Sequence, residues 1–570
     1  MHLPRLNPFT SKLNRVYGWY TLGFVAFVLA LGFLEHKGLP KRWIGFIFLL
    51  STVLLYACIG VLSRTTEAAE YYVAGRRVPA SYNGMATGAD WMSAASFIGM
   101  AGTLYLTGYM GNAYILGWTG GFCLVAFLMA PYLRKFGQYT IPDFLGARFG
   151  DGARVVSAVA AILCSFTYLV AQIYGVGLIT ARLSGLDFEI GIFVGLGGVL
   201  VCSFLGGMRA VTWTQVAQYV ILIFAYLVPV IWLSAKQTGV PVPQAIYGQQ
   251  LQKISAREKQ LLADPSEQQV RQVFADRAKG YAQKLTDIPV ALASERLAAS
   301  QRVLLLVSNE APLSQIQAAE KELAALPRTE AEAREQWTRA KAVNEARTKP
   351  LAGMPAHAQL YSGDPNGSAS EKREFDDSRI NFLALVFCLM FGTAGLPHVL
   401  MRYYTTPSVR QARESVSWSL VFIVLLYCTA PALAVLVKFE VFNVLVGTSF
   451  DHLPSWIGQW SRVDPSLLSV SDVNHDGIFQ LGELRIGGDI IVLATPEIAG
   501  LPFVVTGMVA AGGLAAALST ADGLLLTITN ALSHDIFYKM FARNASTSTR
   551  VTLSKGLLLL VAMAAAAVAV

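Results

Sequence analysis

Two long apolar segments, each interrupted by small and polar residues, constrain this chain more than any other feature. The first reads GMATGADWMSAASFIGM at 84–100, and the second reads AAALSTADGLL at 515–525. In the hydrocarbon core of a bilayer an unpaired polar group costs several kcal/mol, so such interruptions persist only where they line a cavity or face other protein. Two broken helices far apart in sequence are typical of ion-coupled transporters that bind their ligands near the middle of the membrane. The sequence therefore predicts a transporter in which both segments are broken helices.

The overall composition is that of a membrane protein. Hydrophobic residues make up 54% of the chain and charged residues only 14%, a balance that soluble domains rarely show. A membrane-spanning helix needs about 20 apolar residues, and on that basis we predict about eleven spans in an all-α fold. They centre on residues 17–34, 43–62, 80–106, 113–133, 155–179, 188–205, 213–233, 382–400, 416–437, 501–529 and 551–570. The first is too long for the apolar core of a signal peptide, so we interpret it as a membrane anchor.

The basic residues are concentrated in alternate loops, which gives an expected orientation. These residues are Arg5, Lys12, Arg15, Arg76, Arg77, Lys135, Arg148, Arg154, Arg209, Arg402, Arg410, Arg413, Lys539, Arg543 and Arg550. Their placement explains the net charge of +8 without a nucleic-acid partner. Under the positive-inside rule these loops and the N-terminus are cytoplasmic, with Lys41 and Arg42 as an exception in a short loop. We expect a multi-pass protein in the lipid bilayer of a bacterial inner membrane, with residues 236–378 and 439–500 outside.

The segment 236–378 departs from the membrane pattern. Between residues 244 and 373 the chain is polar and rich in Ala, Glu, Gln, Lys and Arg, and the runs at 266–285 and 330–348 have helical periodicity. This pattern predicts a small helical domain outside the membrane, closed by a flexible tether at 364–375 (DPNGSASEKREF). A docking site for a protein partner is one interpretation, and a solvated insertion is the simpler one.

A twelve-residue loop in the second outer segment matches the pattern of an EF-hand calcium loop. It reads DVNHDGIFQLGE at 472–483, with Gly477 at the position of the turn. Calcium takes about six to eight oxygen ligands, which a loop of this spacing can supply. The predicted ligands are Asp472, Asn474, Asp476, the Ile478 carbonyl and Glu483. The sequence predicts a structural calcium clamp; the alternative is an acidic loop without metal, because clear flanking helices are absent from the pattern.

Across nearly every predicted span the chain resembles the sodium:solute symporter family, most closely its acetate and short-monocarboxylate branch. The resemblance rests on the segments at 70–84, 88–102, 204–223, 392–406 and 515–535. It implies a five-plus-five inverted-repeat transporter fold with extra N-terminal helices and a helical extramembrane insertion. The implied regions are two N-terminal helices (1–79), the first repeat (80–235), the insertion (236–378), the start of the second repeat (379–438), the calcium-loop segment (439–500) and the rest of the second repeat (501–570).

The resemblance also implies a sodium site at the interrupted segments. Its ligands would be the backbone carbonyls of Ala89, Met92 and Ala516 together with the hydroxyls of Ser519 and Thr520. Sodium is a hard cation, and unwound carbonyls with hydroxyls supply oxygen ligands that carry little net charge. A Ser-Thr pair in a membrane helix otherwise serves packing or bonds back to its own helix.

Residues for a solute site are expected in the segment GTAGLPH at 392–398. Pro397 favours an unwound turn there, and an anion is stabilised by free N–H groups at such a break. The candidate residues are Gly392, Thr393, Gly395, His398 and, in the first interrupted segment, Asp90. A satisfied core histidine is the alternative for His398. Asp90 is a charge inside a span and therefore a candidate for the cation site, for a proton relay or for a structural ion pair.

We expect this chain to import a small monocarboxylate such as acetate by symport with sodium or with protons. Sugar and proline members of the family tend to have Asp where this chain has Gln215, which weakens those substrates and leaves the driving ion open. The chain ends at Val570 within an apolar run, before a tenth core helix, so we expect a fragment of a longer protein. A nutrient-sensing receptor with a transporter-like membrane domain and a symporter for another solute such as proline are the alternatives. We find no motif of an enzyme.

Overall fold

The computed structural model describes residues 8–570, apart from the side chain of Val199, so Arg5 lies outside the described residues. The described chain is dominated by helices, as predicted for an all-α membrane protein. In chain order they are α1 (Pro8–His36), α2 (Lys41–Leu62), α3 (Ala68–Val73), α4 (Ala80–Trp91), α5 (Met100–Thr107), α6 (Asn112–Leu124), α7 (Ala130–Phe136), α8 (Ile141–Phe149), α9 (Asp151–Ser184), α10 (Phe188–Thr238), α11 (Pro243–Ala263), α12 (Pro265–Lys284), α13 (Ile288–Ser308), α14 (Leu313–Ala325), α15 (Glu330–Arg347), α16 (Ala369–Ala394), α17 (Pro397–Met401), α18 (Val409–Tyr427), α19 (Ala430–Glu440), α20 (Ser455–Val463), α21 (Ile490–Ile498), α22 (Phe503–Asn530) and α23 (Thr547–Ala569). A short antiparallel pair of strands, β1 (Leu468–Val470) and β2 (Leu484–Ile486), lies between α20 and α21.

Nine helical stretches of the described chain are long and apolar enough to cross a membrane. The count is lower than the predicted one because two stretches continue from one predicted span into the next, namely Ala95–Phe136 and Phe188–Thr238. Within α10 the two spans are separated by a bend at Gly207, where φ is 53° and ψ is −142°. A Cβ atom at Gly207 would lie 2.6 Å from the carbonyl oxygen of Tyr71, so glycine is needed there for conformation and for close packing.

The first interrupted segment forms a broken helix. Its first half, α4, ends at Trp91, and Met92 follows with a φ of −76° and a ψ of 63°, outside the helical region. A π-helical turn at Ala95–Gly99 then leads into α5. A helix end leaves backbone donors without intrahelical partners, and here the N–H of Ala94 donates to the side-chain oxygen of Gln172 at 2.9 Å. The break is therefore stabilised by a side chain from α9.

A second break separates α16 from α17, within the GTAGLPH segment. The helix α16 ends at Ala394, Gly395 and Leu396 connect the two helices, and Pro397 is the first residue of α17. Proline suits this position because its fixed φ is helical and its missing N–H would be unpaired there in any case. The break expected from Pro397 is thus present.

The prediction of a break at 515–525 is wrong, because α22 runs without interruption through this segment. The hydroxyls of Ser519 and Thr520 both donate to the carbonyl of Ala516 in the preceding turn, at 2.9 and 3.3 Å. Such back-bonding satisfies a hydroxyl in a helix without unwinding it. The polar residues of α22 therefore mark a polar face and not a break.

The helix α22 lies in the centre of the bundle. In the most apolar 18 residues of the helical stretch Phe503–Phe541, 94% of the residues are buried. The helix α22 packs against α9, α10, α4 and α17. Small residues allow this close packing; a Cβ atom at Gly512 would lie 2.3 Å from the Cβ of Ala225 in α10. Both broken helices thus lie against the same continuous helix.

The insertion is helical, as predicted, and consists of the helices α11 to α15. A small apolar cluster of its own includes Ile288, Leu292 and Trp337. The expected flexible tether at 364–375 is only partly present, because α16 already begins at Ala369. Ser368 and Glu371 form a capping box at this end, which stabilises the helix start.

The insertion binds the second outer segment. The carboxylate of Glu267 in α12 accepts hydrogen bonds from the backbone N–H groups of Leu481 and Gly482, the latter at 3.0 Å. Arg347 donates to the carbonyl of Gly482 at 2.9 Å. These contacts show that part of the insertion surface is occupied by residues of the same chain.

Candidate functional site

The hydroxyls of α22 meet the last turn of α4. Ser519 Oγ lies 2.7 Å from the carbonyl oxygen of Ala89, and Thr520 Oγ1 lies 2.8 Å from the carbonyl oxygen of Asp90. Ala89, Ser519 and Thr520 are fully buried. The structure therefore brings together four of the predicted sodium ligands, because both hydroxyls also contact the carbonyl of Ala516.

Met92, the fifth predicted sodium ligand, lies at the break itself. Its N–H donates to the carbonyl of Gly88 at 2.9 Å, and the helix ends there. Carbonyl groups in the last turn of a helix lack intrahelical partners and are free to accept other ligands. Among the described residues, no hydrogen bond joins Met92 to α22. The donor set at the contact of α4 with α22 consists of neutral oxygen atoms, the ligand type that a hard monovalent cation requires.

A cavity of about 350 Å³ opens beside this contact, between the two broken helices. Four of the five predicted solute residues line it: Asp90, Gly392, Thr393 and His398. Gly395 lies in the connection between α16 and α17 and is not part of the lining.

Sequence reasoning missed the aromatic walls of this cavity. They are formed by Trp91, Trp118, Tyr168 and Tyr427. Aromatic residues are common throughout the spans, so no sequence signal distinguished these four from core residues. Their presence gives the cavity large apolar faces between a few polar groups, which is the usual character of a small-molecule site.

His398 is buried, with 2% of its surface exposed, and its ring faces the edge of Tyr168 at a centroid distance of 5.9 Å. Its Nδ1 atom has no hydrogen-bond partner among the described residues. A buried ring nitrogen normally has a partner. An unpaired nitrogen at a cavity wall is therefore available to a ligand, which favours the functional interpretation of His398 over that of a satisfied core histidine.

Asp90 lines the cavity as one half of an ion pair, and its Oδ1 atom has no hydrogen-bond partner among the described residues. Its Oδ2 atom accepts a hydrogen bond from Nε of Arg402 at 3.0 Å, and both side chains are fully buried. The prediction that Arg402 is a loop residue is wrong, because its side chain is fully buried and paired with Asp90. The sequence did not indicate that it turns inward to pair with Asp90.

Two further polar residues of α10 bind α22. Gln215 stands where sugar and proline members of the family tend to have Asp. Its side-chain amide donates to the carbonyl of Ser519 at 2.8 Å. Ser203 donates to the carboxylate of Asp522. Gln215 therefore binds the residue next to Thr520 without adding a charge, while Asp522, one turn away from Ser519, is a buried carboxylate that bonds to a neutral hydroxyl.

The predicted calcium loop forms a compact turn around its own polar groups. Asp472 accepts the N–H of Gly477 at 3.0 Å, and Asp476 accepts the N–H of Ile478 at 2.8 Å. Glu483 is fully buried and accepts the N–H groups of Val473 and Gln480. Gly477 has a φ of +74°, as the turn position of such a loop requires.

The flanks of the calcium loop differ from those of an EF-hand. The strand β1 precedes it and β2 follows it, and the two strands pair with each other. Burial raises the pKa of the Glu483 carboxyl above its usual value, against the effect of its backbone hydrogen bonds. A divalent cation would have to compete with a proton for this carboxyl.

The two broken helices, their shared cavity and the cluster of buried oxygens define a membrane transporter. The family model for the sodium:solute symporter family matches residues 71–280. An uncharacterized symporter of Cupriavidus necator is 53% identical over 562 residues, which cover 97% of this chain and 81% of that protein. The chain belongs to the sodium:solute symporter family.

A solved structure shares the fold. It is the substrate-bound, outward-open state of a Na⁺-coupled sialic acid symporter, with a TM-score of 0.55 and 15% sequence identity. The similarity covers 92% of this chain and 81% of that chain. The fold is thus that of an all-α membrane transporter, and family membership makes sodium-coupled transport of a small solute its function at the level of class.

Proposed function

We propose that this protein imports a small monocarboxylate such as acetate by symport with sodium. The observation that carries the proposal is the cavity between the broken helices, which combines donor groups, aromatic walls and an adjacent cluster of neutral oxygens. We propose Ala89, Met92, Ala516, Ser519 and Thr520 as the sodium ligands, and Asp90, Gly392, Thr393, Gly395 and His398 as the residues that form or shape the solute site.

The charge balance of the cavity supports an anionic solute that binds together with a cation. Among the described residues no lysine or arginine lines the cavity, and the nearby Arg402 is neutralised by Asp90. The hydroxyl of Thr393 and the unpaired nitrogen of His398 are available as donors. A carboxylate would then depend on sodium for its compensating charge. Each ligand would raise the affinity of the other by the same factor.

The size of the cavity supports short acyl chains. A volume of about 350 Å³ exceeds what acetate alone requires, and the aromatic walls offer apolar surface to a short tail. Burial of each methylene contributes about 0.8 kcal/mol. We therefore expect affinity to rise from acetate toward slightly longer monocarboxylates, until the tail no longer fits.

The distribution of basic residues supports an orientation of the protein in the membrane. We propose a multi-pass protein of a bacterial inner membrane with a cytoplasmic N-terminus, in which the insertion and the calcium-loop segment lie outside. In this orientation, solute and sodium enter from the side of the insertion. A proton in place of sodium is the second candidate for the driving ion, because His398 can carry one.

We propose calcium as a structural ligand of the loop 472–483. The Oδ1 atom of Asp472 is buried and has no hydrogen-bond partner among the described residues, so it is available to a cation. The turn at Gly477, with its positive φ, supports the same assignment. Because the flanking strands pair with each other and are not the two helices of an EF-hand, we propose that such an ion stabilises the outer segment and does not act as a sensor.

Uptake of labelled acetate into proteoliposomes tests the proposal. An inward sodium gradient is expected to drive uptake, and Thr393→Ala is expected to raise the acetate KM by about tenfold, the loss of one charge-assisted hydrogen bond. Thr167→Ala is the matched control, because the Thr167 hydroxyl only bonds back to Leu163 on an exposed face of α9. Uptake driven only by a proton gradient would confirm acetate as a solute and contradict sodium as the driving ion. Uptake of proline but not acetate, or no uptake under either gradient, would contradict the proposal.

A further inference from the structure

The ion pair of Asp90 and Arg402 connects the two broken helices across the centre of the protein. Asp90 belongs to the last turn of α4, and Arg402 directly follows α17. Both side chains have no exposed surface, and the bond between them is 3.0 Å long. Arg402 also contacts Thr212 and Met208 of α10, each at 3.3 Å. A buried ion pair adds little net stability compared with apolar packing. Its location at this junction therefore suggests a role other than stability.

Asp90 belongs to the proposed sodium site as well. While its side chain binds Arg402, its carbonyl oxygen accepts the hydroxyl of Thr520 at 2.8 Å. The neighbouring carbonyl of Ala89 accepts the hydroxyl of Ser519 at 2.7 Å. Any movement of the last turn of α4 relative to α22 therefore also moves the Asp90 carboxylate to which Arg402 binds.

Sodium entry requires such a movement. A cation of this size lies about 2.4 Å from each oxygen ligand, as calcium does, so two adjacent ligands are about 3.4 Å apart. The two hydroxyl–carbonyl contacts, at 2.7 and 2.8 Å, are shorter than this by about 0.6 to 0.7 Å. A bound sodium ion must replace these hydrogen bonds and separate α4 from α22.

Arg402 can transmit this displacement to the solute cavity. It lies four residues after His398, at the other end of the short helix α17, and both residues are buried. Because α17 has only five residues and packs against α22, α4 and α9, we expect it to move as one unit with Arg402. A displacement of Asp90 therefore changes the position of the wall that carries His398.

We propose that Arg402 is a positioning residue that couples the sodium site to the solute cavity through Asp90. The inference rests on the proposed function, since it requires sodium at Ser519 and Thr520. Arg402 contacts neither ion nor solute. Its loss removes the communication between the two sites while each site retains its own ligands.

Cysteine labelling tests the coupling without knowledge of the solute. Cys388 of α16 lines the cavity, so its thiol reports on the cavity wall. In a variant that retains Cys388 and has alanine in place of the other cysteines, sodium is expected to change the rate of labelling by N-ethylmaleimide severalfold. Arg402→Gln is expected to abolish this change, while sodium still raises the thermal stability of the protein. Potassium serves as the control ion.

Two further variants guard against a simple loss of folding. Asp90→Asn with Arg402→Gln removes both charges of the pair together, so neither is left buried without the other; it is expected to fold and to lack the sodium effect on Cys388. Arg182→Gln is the matched control, because Arg182 forms a similar ion pair with Glu497 at 2.8 Å, away from the cavity. It is expected to retain the full sodium effect.

The outcomes separate the inference from the proposed function. If sodium changes Cys388 labelling equally in the parent and in folded Arg402→Gln, the coupling role is wrong and the sodium site stands. If sodium changes neither labelling nor stability in the parent, both the sodium site and the coupling are wrong. Labelled acetate gives the same test: its affinity is expected to rise with sodium about tenfold or more in the parent and to become independent of sodium in Arg402→Gln.

Discussion

The two candidate cation sites of this protein have opposite chemistry. At the contact of α4 with α22 the oxygen atoms are neutral, fully buried and supplied by two separate helices. In the loop 472–483 the oxygens belong mainly to carboxylates, and one short stretch of chain supplies them all. A site shared between two helices can open when they separate, and its neutral ligands release a monovalent ion readily. A closed loop of carboxylates holds its ion in place. The difference is the reason for proposing a transported ion at the first site and a structural ion at the second.

The largest expected effect comes from removing the hydroxyls of the first site. Ser519→Ala combined with Thr520→Ala is expected to weaken the apparent sodium affinity about a hundredfold, because two ligands at about 1.5 kcal/mol each are lost. The measurement is acetate uptake as a function of sodium concentration. Thr529→Ala is the matched control, since its buried hydroxyl bonds only to its own helix. Equal sodium dependence in the double variant and the parent would contradict the site.

Calcium removal is the corresponding test of the second site. At about 100 times its dissociation constant, calcium would stabilise the folded outer segment by about 2.7 kcal/mol. A chelator is therefore expected to lower the melting temperature of the parent. Asp472→Asn should be insensitive to the chelator. The sodium dependence of uptake should stay the same in both proteins. If the parent protein melts at the same temperature with and without the chelator, the loop 472–483 binds no calcium.

The contact between the insertion and the calcium loop is expected to make a somewhat smaller contribution. Glu267→Gln weakens two hydrogen bonds from backbone N–H groups to a carboxylate, at a cost of about 2 kcal/mol. Faster hydrogen exchange at 481–483 would report the loss. Exposed Glu335→Gln on α15 is the control, and unchanged exchange in Glu267→Gln would mean that the loop is ordered without the insertion.

Acidification is expected to have the smallest effect. Burial, together with the nearby charge of Lys438, lowers the pKa of His357 from 6.5 to about 3. The folded state therefore keeps this histidine neutral, while the unfolded state binds a proton below about pH 6.5. The free energy of unfolding is therefore highest above that pH and decreases as the pH falls. From about pH 7.5 to about pH 5 the loss is about 2 kcal/mol.

The net effect of acidification is smaller than this figure, because burial raises the pKa of the neighbouring Glu258 and gives a contribution of opposite sign. Hydrogen exchange at 351–361 is the measurement. His357→Gln should show a weaker dependence on pH between these limits. An identical dependence in the variant would assign it to other groups.

The sequence predicted the membrane helices and the break at Met92 well, because long apolar runs and clusters of small polar residues have direct physical consequences. It also indicated the hydroxyl pair that meets Ala89. The predicted helix break at 515–525 was wrong. Composition does not reveal whether a hydroxyl bonds to a carbonyl of its own helix, as the hydroxyls of Ser519 and Thr520 do with the carbonyl of Ala516.

Long-range pairing was the other part that the sequence could not reveal. Arg402 follows an apolar helix and has the appearance of a loop charge, yet its partner Asp90 lies 312 positions away in the chain. The aromatic walls of the cavity were missed for the same reason. Their residues come from four different helices, and only the tertiary fold brings them together.

Binding of radioactive sodium to the purified protein, with and without acetate, tests the central claim most directly. The account predicts that acetate raises the affinity for sodium by the same factor by which sodium raises the affinity for acetate, and that both effects disappear in the Ser519→Ala and Thr520→Ala double variant. Sodium binding that is indifferent to acetate, or that persists unchanged in the double variant, would contradict it.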